Sequence, residues 1–300
     1  MPALPATLIS VDLDDVACYH AIHGLPPPSP SQCGVGLTRW LPRFLELFAR
    51  TGVRATFFVI GRDLQRDLEE GGEGAALLRQ AVEAGHELGN HSFSHAYDLV
   101  RMPAAAQRED LRACDALLRG LGAEVMGFRA PGYTHDAGLL RQAAALGHRY
   151  DSSCLPSAPY YAAKLAVMGA MALRGERSSS QWRGAGSFLG SRLPYWREDV
   201  ALWELPMSVS PVTRVPLIGT TLLALPAVVA GALRRTALGL PHFHLELHGI
   251  DLGDAERDGL SPGLARRQPE LRVPWRVRHE RLRELLVLRG GGTALRDAVR

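Results

Sequence analysis

Residues 37–61 read LTRWLPRFLELFARTGVRATFFVIG, and their pattern sets the rhythm of the chain. Trp40, Leu41, Phe44, Leu45 and Phe48 recur at i, i+4 and i+8, so the spacing predicts a helix over 37–50, closed by Thr51 and Gly52. Residues 55–60, ATFFVI, are β-branched and aromatic and predict a buried strand ending at Gly61. Working outward, residues 7–11 form a short apolar run that ends in acids. Helices are predicted over 74–84, 104–121, 136–146 and 277–288, and strands over 86–90, 125–129, 149–152, 202–205 and 243–247. In the 104–121 helix, Leu111, Cys114, Leu117, Leu118 and Leu121 share one face, and Gly122 follows.

Strand and helix alternating through short connections imply a mostly parallel sheet covered by helices. Six or seven such units favour a barrel of the (β/α) type, with the chemistry at the C-terminal ends of the strands. The whole chain, 1–300, reads as a single domain with an insertion at about 156–241, where the rhythm breaks. Within it, 158–173 is Ala-rich, 174–192 is rich in Ser, Gly and Arg, and 215–233 is strongly apolar and followed by Arg234 and Arg235.

The composition, 46% hydrophobic and 22% charged over 300 residues, excludes a disordered or fibrous chain. A net charge of +3 is too small to argue for a nucleic-acid partner. The basic residues are almost all Arg, and Lys164 is the only lysine. No two of Cys18, Cys33, Cys114 and Cys154 have CxxC spacing, which speaks against a zinc–thiolate knuckle. Residues 1–7 show no signal-peptide pattern, so a cytoplasmic protein with reduced thiols is the expectation.

Four clusters carry chemistry. Asp12, Asp14 and Asp15 follow a buried strand, where three carboxylates are costly unless they bind something, and alternation puts Asp12 and Asp14 on one face. His91 and His95, in HSFSH, are four apart, so a helical turn would present both imidazoles to one metal. A carboxylate from the first cluster would complete a facial set of three ligands. Arg129, Pro131, Gly132 and Tyr133 follow another strand. There Arg129 can orient a catalytic carboxylate and the Tyr133 N–H can serve as an oxyanion donor. His248 ends the last apolar alternation as a candidate general acid, and His244 and Glu246 share its side by parity. Singly, each of these has an ordinary structural reading: a helix cap, two surface histidines, a Pro-Gly turn, a core histidine.

Taken in order, the clusters resemble the NodB-homology polysaccharide deacetylases, carbohydrate esterase family four. ATFFVIG resembles that family's ATFF strand, 91–95 its H-(S/T)-x-x-H motif, 129–132 its R-x-P-G motif, and 245–248 its last motif. The resemblance spans about 9–249 and implies a distorted (β/α) barrel and a divalent metal, usually zinc, held by one Asp and two His. Carried over, His91 and His95 are ligands and His248 is the general acid. Members reading D-x-D would make Asp12 the base and Asp14 the ligand, whereas members reading T-F-D-D would make Asp14 the base and Asp15 the ligand. The first is preferred here, because the N-terminal pattern favours the cytosolic branch. The family's Asp that tunes the acid His is not evident, and Glu204, in Trp203-Glu204-Leu205-Pro206, stands about where it belongs. Pro131, Gly132 and Glu204 are then the expected substrate contacts.

The resemblance implies hydrolysis of the acetyl or formyl group from an N-acylated amino sugar of a polysaccharide or lipid-linked glycan. The segment 215–235 could pack against the barrel, form a lid, or make a peripheral contact at the inner face of the membrane; Pro216 and Pro226 argue against a full span. The competing readings are a catalytically inactive sugar- or lipid-binding barrel and an allantoinase-like amidohydrolase.

Overall fold

The structure is a computed structural model and describes residues 6–175, 178, 188 and 190–299. Its strands are β1 (Thr7–Asp12), β2 (Thr56–Val59), β3 (Glu87–Asn90), β4 (Gly127–Phe128), β5 (Tyr150–Asp151), β6 (Tyr195–Arg197), β7 (Leu202–Glu204) and β8 (Phe243–His248). They form one sheet in the order β6-β7-β5-β4-β3-β2-β1-β8. Neighbours are parallel, except that β6 runs antiparallel to β7. The helices are α1 (Val16–Ile22), α2 (Leu41–Thr51), α3 (Gly61–Glu69), α4 (Glu73–Glu83), α5 (Ala104–Gly120), α6 (Ala137–Ala145), α7 (Ala158–Leu173), α8 (Ala227–Leu238), α9 (Pro262–Arg267) and α10 (Trp275–Leu288). This is the expected distorted barrel. The segment at 156–241 lies partly within it, because β7 pairs with β5 and extends the sheet.

Period-two alternation divides the sheet into two environments. Ile9 and Val11 of β1 and Phe57 and Val59 of β2 pack with Phe44 and Phe48 of α2, Leu78 of α4 and Leu282 and Leu286 of α10 in the main core. The opposite face carries Leu8 and Phe58, which join Met126, Tyr150, Leu205 and Leu295 in a separate apolar plug. Farther along that face of β1 come Ser10 and then Asp12, so its character changes from apolar to polar toward the strand ends. Gly127 is required in the plug: a Cβ there would lie 1.9 Å from the fully buried Tyr150 ring. Gly127→Ala therefore lowers stability by about 1–3 kcal/mol through overpacking, read as a lower urea midpoint; an unchanged midpoint would show that the ring can yield.

The apolar run at 215–233 is two elements, not one helix. A π-helical turn at Thr220–Ala224 precedes α8, and Leu217, Leu222 and Leu223 are buried in the main core. Packing against the barrel is the reading that this placement supports. Among the described residues, no helix is long and apolar enough to cross a membrane. The Ser-, Gly- and Arg-rich stretch 174–192, which reads as an exposed loop in the sequence, lies mostly outside the described residues.

Candidate active site

The in-register pairing of β1 with β8 builds the site. Leu8 lies beside His244, Ser10 beside Glu246 and Asp12 beside His248. Two alternating patterns from distant parts of the chain thus point the same way. Arg129, fully buried after β4, ties them together. Its Nη1 donates to Asp12 Oδ1 at 2.5 Å, its Nη2 to Ser10 Oγ at 3.0 Å and Ser152 Oγ at 2.8 Å, and its Nε to the Ser152 carbonyl at 2.7 Å. The guanidinium also lies 4.3 Å from the Phe58 ring centroid.

His244 sits beneath this layer, within 3.0 Å of Ser10 Oγ and 3.1 Å of the Pro206 carbonyl. Burial, reinforced by the Arg129 charge, pushes its pKa down to about 3. Below pH 6.5 the unfolded chain takes up a proton that the folded chain refuses until about pH 3. The stability present above 6.5 is therefore lost as the pH falls, by up to about 1.4 kcal/mol per unit. A His244→Gln variant should show a shallower fall of the urea midpoint between pH 7 and 5 than the wild type; parallel falls would refute this.

His91 and His95 follow β3 in an irregular loop, not in the expected helical turn. The amides that a helix would bond internally are taken by side chains. Asn90 Oδ1 accepts from Ser92 N, the Asp110 carboxylate from Phe93 N and Ser94 N, and Ser92 Oγ from His95 N. Ser92 and His95 consequently adopt positive φ, 62° and 51°. The loop still brings the imidazoles together, with ring centroids 4.8 Å apart.

Both Nε2 atoms lie 3.4 Å from Asp14 Oδ1. His91 Nδ1 donates to the Arg129 carbonyl at 2.8 Å, which leaves the Nε2 lone pair facing Asp14. Asp14 Oδ1 and His95 Nε2 are buried without a hydrogen-bond partner. Burial would raise the Asp14 carboxyl, but the imidazoles hold it well below 3.8. Burial lowers His95, against the pull of Asp14. An ionised oxygen and two nitrogens converging with unsatisfied lone pairs form a donor set that fits a divalent cation.

Asp15, the alternative ligand, does not join them. Its oxygens accept from Gly34 N at 2.7 Å, Gly36 N at 3.2 Å and Arg66 Nη2 at 2.8 Å. Glu204 is likewise elsewhere: it lies in β7 beside Asp151 and accepts from Cys154 N. The group beside the candidate acid is Glu246, whose Oε1 is 3.0 Å from His248 Nδ1 and accepts from the Tyr133 hydroxyl at 2.8 Å. Parity placed Glu246 on this side, and the i, i+2 spacing to His248 was the signal for its role. Burial pulls the His248 pKa down, but Glu246 first and then Asp12 and Asp14 more than offset it, leaving it well above 6.5.

The Tyr133 N–H is not free as expected, since it donates to the Ala130 carbonyl at 3.0 Å in a tight turn. Gly132 is needed in that turn: its φ is 57°, and a Cβ would fall 2.5 Å from the Tyr97 ring. Asp12, Asp14, His91, Gly132, Tyr133 and His248 line one cavity of about 310 Å³; Pro131 and Glu204 do not. A wider cavity of about 640 Å³ also touches His95 and includes Arg62 and Arg66.

Residues 33–150 match the family described as polysaccharide deacetylase. Over that stretch the chain matches a polysaccharide deacetylase domain. Over 158 residues the chain is 28% identical to a peptidoglycan deacetylase of Helicobacter pylori, covering 50% of each chain. A shorter match, 36% over 58 residues, is to a peptidoglycan-N-acetylglucosamine deacetylase of Bacillus cereus and covers 19% of this chain and 24% of that one. The chain thus spans half or less of the length of these curated relatives. A Mycobacterium smegmatis structure assigned to the polysaccharide deacetylases aligns over 98% of this chain and 88% of its own, with TM-score 0.58 and 18% identity. A Bacillus anthracis protein described as a pseudoenzyme of carbohydrate esterase family four aligns over 100% and 67%, with TM-score 0.51 and 11% identity. At these identities the two structures establish the fold alone.

Proposed function

We propose that this chain is a divalent-metal-dependent hydrolase that removes an N-acyl group, acetyl or formyl, from an amino sugar. The observation that carries this reading is the convergence of Asp14, His91 and His95 with Asp14 Oδ1 and His95 Nε2 unpartnered. A cation held by these three, zinc by the chemistry of the donors, would polarise an acyl carbonyl and acidify a water molecule.

The chain's own groups do the proton work. Asp12, anchored through Oδ1 by Arg129, keeps Oδ2 turned toward the cluster, 3.7 Å from His91 Nε2, and takes the proton of the attacking water. His248, held by Glu246, donates a proton to the departing amine nitrogen. The Tyr133 hydroxyl fixes the Glu246 carboxylate for that task. The convergence of Asp12, Asp14, His91, His95 and His248 favours this reading over an inactive barrel. Leu217, Leu222 and Leu223 are buried while Val228 and Val229 are exposed; the deacylase reading rests on neither, and we do not extend the proposal to a lipid-linked substrate.

Purified zinc-loaded protein should release acetate or formate together with one free amine when screened by mass spectrometry against N-acetylated and N-formylated amino sugars. Metal bound at one equivalent with no release from any of them would contradict the proposal. Glu246→Gln removes the negative charge beside His248, so the basic limb of the kcat/KM pH profile should move down by about one unit or more. An unmoved limb would dissociate His248 from that ionisation.

A further inference from the structure

The only lysine of the chain stands in the wall of the candidate cleft. Lys164 lies on α7, and it lines the same cavity as Asp12, Asp14, His91 and His248. Its surroundings on that helix are apolar: Ala163, Val167 and Met168 line the cavity beside it. Among the described residues no hydrogen bond or ion pair reaches its ammonium. Burial draws its pKa down to about 8, and no carboxylate contributes to the shift, which separates Lys164 from the acids that hold His248 and Asp14. It remains mostly cationic at neutral pH. A half-buried cation without a counter-charge is costly, and an anion supplied by a bound molecule would offset that cost.

The cleft therefore has two unlike regions. One is acidic and suits a cation and an acyl group; the other, among the described residues, offers the Lys164 charge next to apolar side chains. We propose that Lys164 forms an anion subsite, so that the preferred N-acylated amino sugar carries a carboxylate or phosphate group. This rests on the N-deacylase reading for the identity of the sugar but not for the existence of the subsite. Lysine contributes a point charge with three donors, so it accepts either anion.

The test compares N-acetylglucosamine 1-phosphate, N-acetylmuramic acid and the neutral methyl N-acetylglucosaminide, with binding by calorimetry and acetate release measured in parallel on the zinc-loaded protein. At least one anionic sugar should bind about tenfold or more tightly than the neutral one, as charge-assisted hydrogen bonds allow. Which of the two does so identifies the phosphate or the carboxylate as the source. Lys164→Met should abolish the preference and Lys164→Arg should retain most of it, with circular dichroism confirming that both fold. Equal binding of all three sugars, no measurable binding of any, or a preference that survives in Lys164→Met would overturn the subsite. An anion preference without acetate release from these sugars, or formate release from their N-formyl counterparts, would instead uphold the subsite and remove the deacylase reading.

Discussion

Acetate release should fall by about a thousandfold in His91→Ala and in Asp14→Ala, the rate equivalent of losing several kcal/mol of transition-state stabilisation. In the same variants, bound zinc should drop from about one equivalent per chain to a small fraction of that. The reason is geometric. Asp14 Oδ1 is the point on which both Nε2 atoms converge, so deletion of any one of the three leaves two donors and an open flank. Asp15→Asn is the informative control. Its carboxylate is engaged by Gly34, Gly36 and Arg66, so the variant should keep its zinc while losing some stability in the loop. Zinc lost in Asp15→Asn and kept in Asp14→Ala would reverse the assignment. Mass spectrometry of the native protein reads the stoichiometry directly.

The second large effect is on stability. Arg129→Met strands the buried Asp12 carboxylate and leaves Ser10, Ser152 and the Ser152 carbonyl without their donor. Breaking a buried pair in this way costs about 3–5 kcal/mol, seen as a marked fall in the urea midpoint. The double variant Asp12→Asn/Arg129→Met removes the orphaned charge as well and should recover part of the loss. If the single variant unfolds at the wild-type midpoint, the Arg129 network does not support the floor of the site. If the double variant is less stable than the single one, the penalty does not come from the stranded charge.

Much of this was legible in the sequence, for identifiable reasons. The alternation in residues 7–12 and 243–248 and the four-residue recurrence in 37–50 are local patterns that survive folding, so β1, β8 and α2 appear where expected. Motif order pointed to the right strand ends. Tertiary choices were less visible. Whether Asp14 or Asp15 turns toward the histidines depends on the 34–36 amides and Arg66, which capture Asp15 from another part of the chain. The HSFSH spacing suggested a helical turn because Asp110, which captures the loop amides, lies on α5, 15 residues beyond His95. Glu204 was misplaced because proximity to Trp203 in sequence says nothing of strand order. With β7 next to β5, Glu204 meets Asp151 while Glu246 meets His248. The Tyr133 amide was spent on a local turn that only backbone geometry reveals. Lys164 gave no signal beyond its solitude, because the Ala-rich helix around it has no alternation to show which side faces the cleft.

The account depends on one cation shared by Asp14, His91 and His95. Anomalous X-ray scattering at the zinc edge, from crystals grown with one equivalent of zinc, tests it most directly. The predicted result is one dominant peak within bonding distance of Asp14 Oδ1 and the Nε2 atoms of His91 and His95. A dominant peak at His135, Asp151 and Glu204, another set of donors that lie close together among the described residues, or no peak at the Asp14 site, would contradict it.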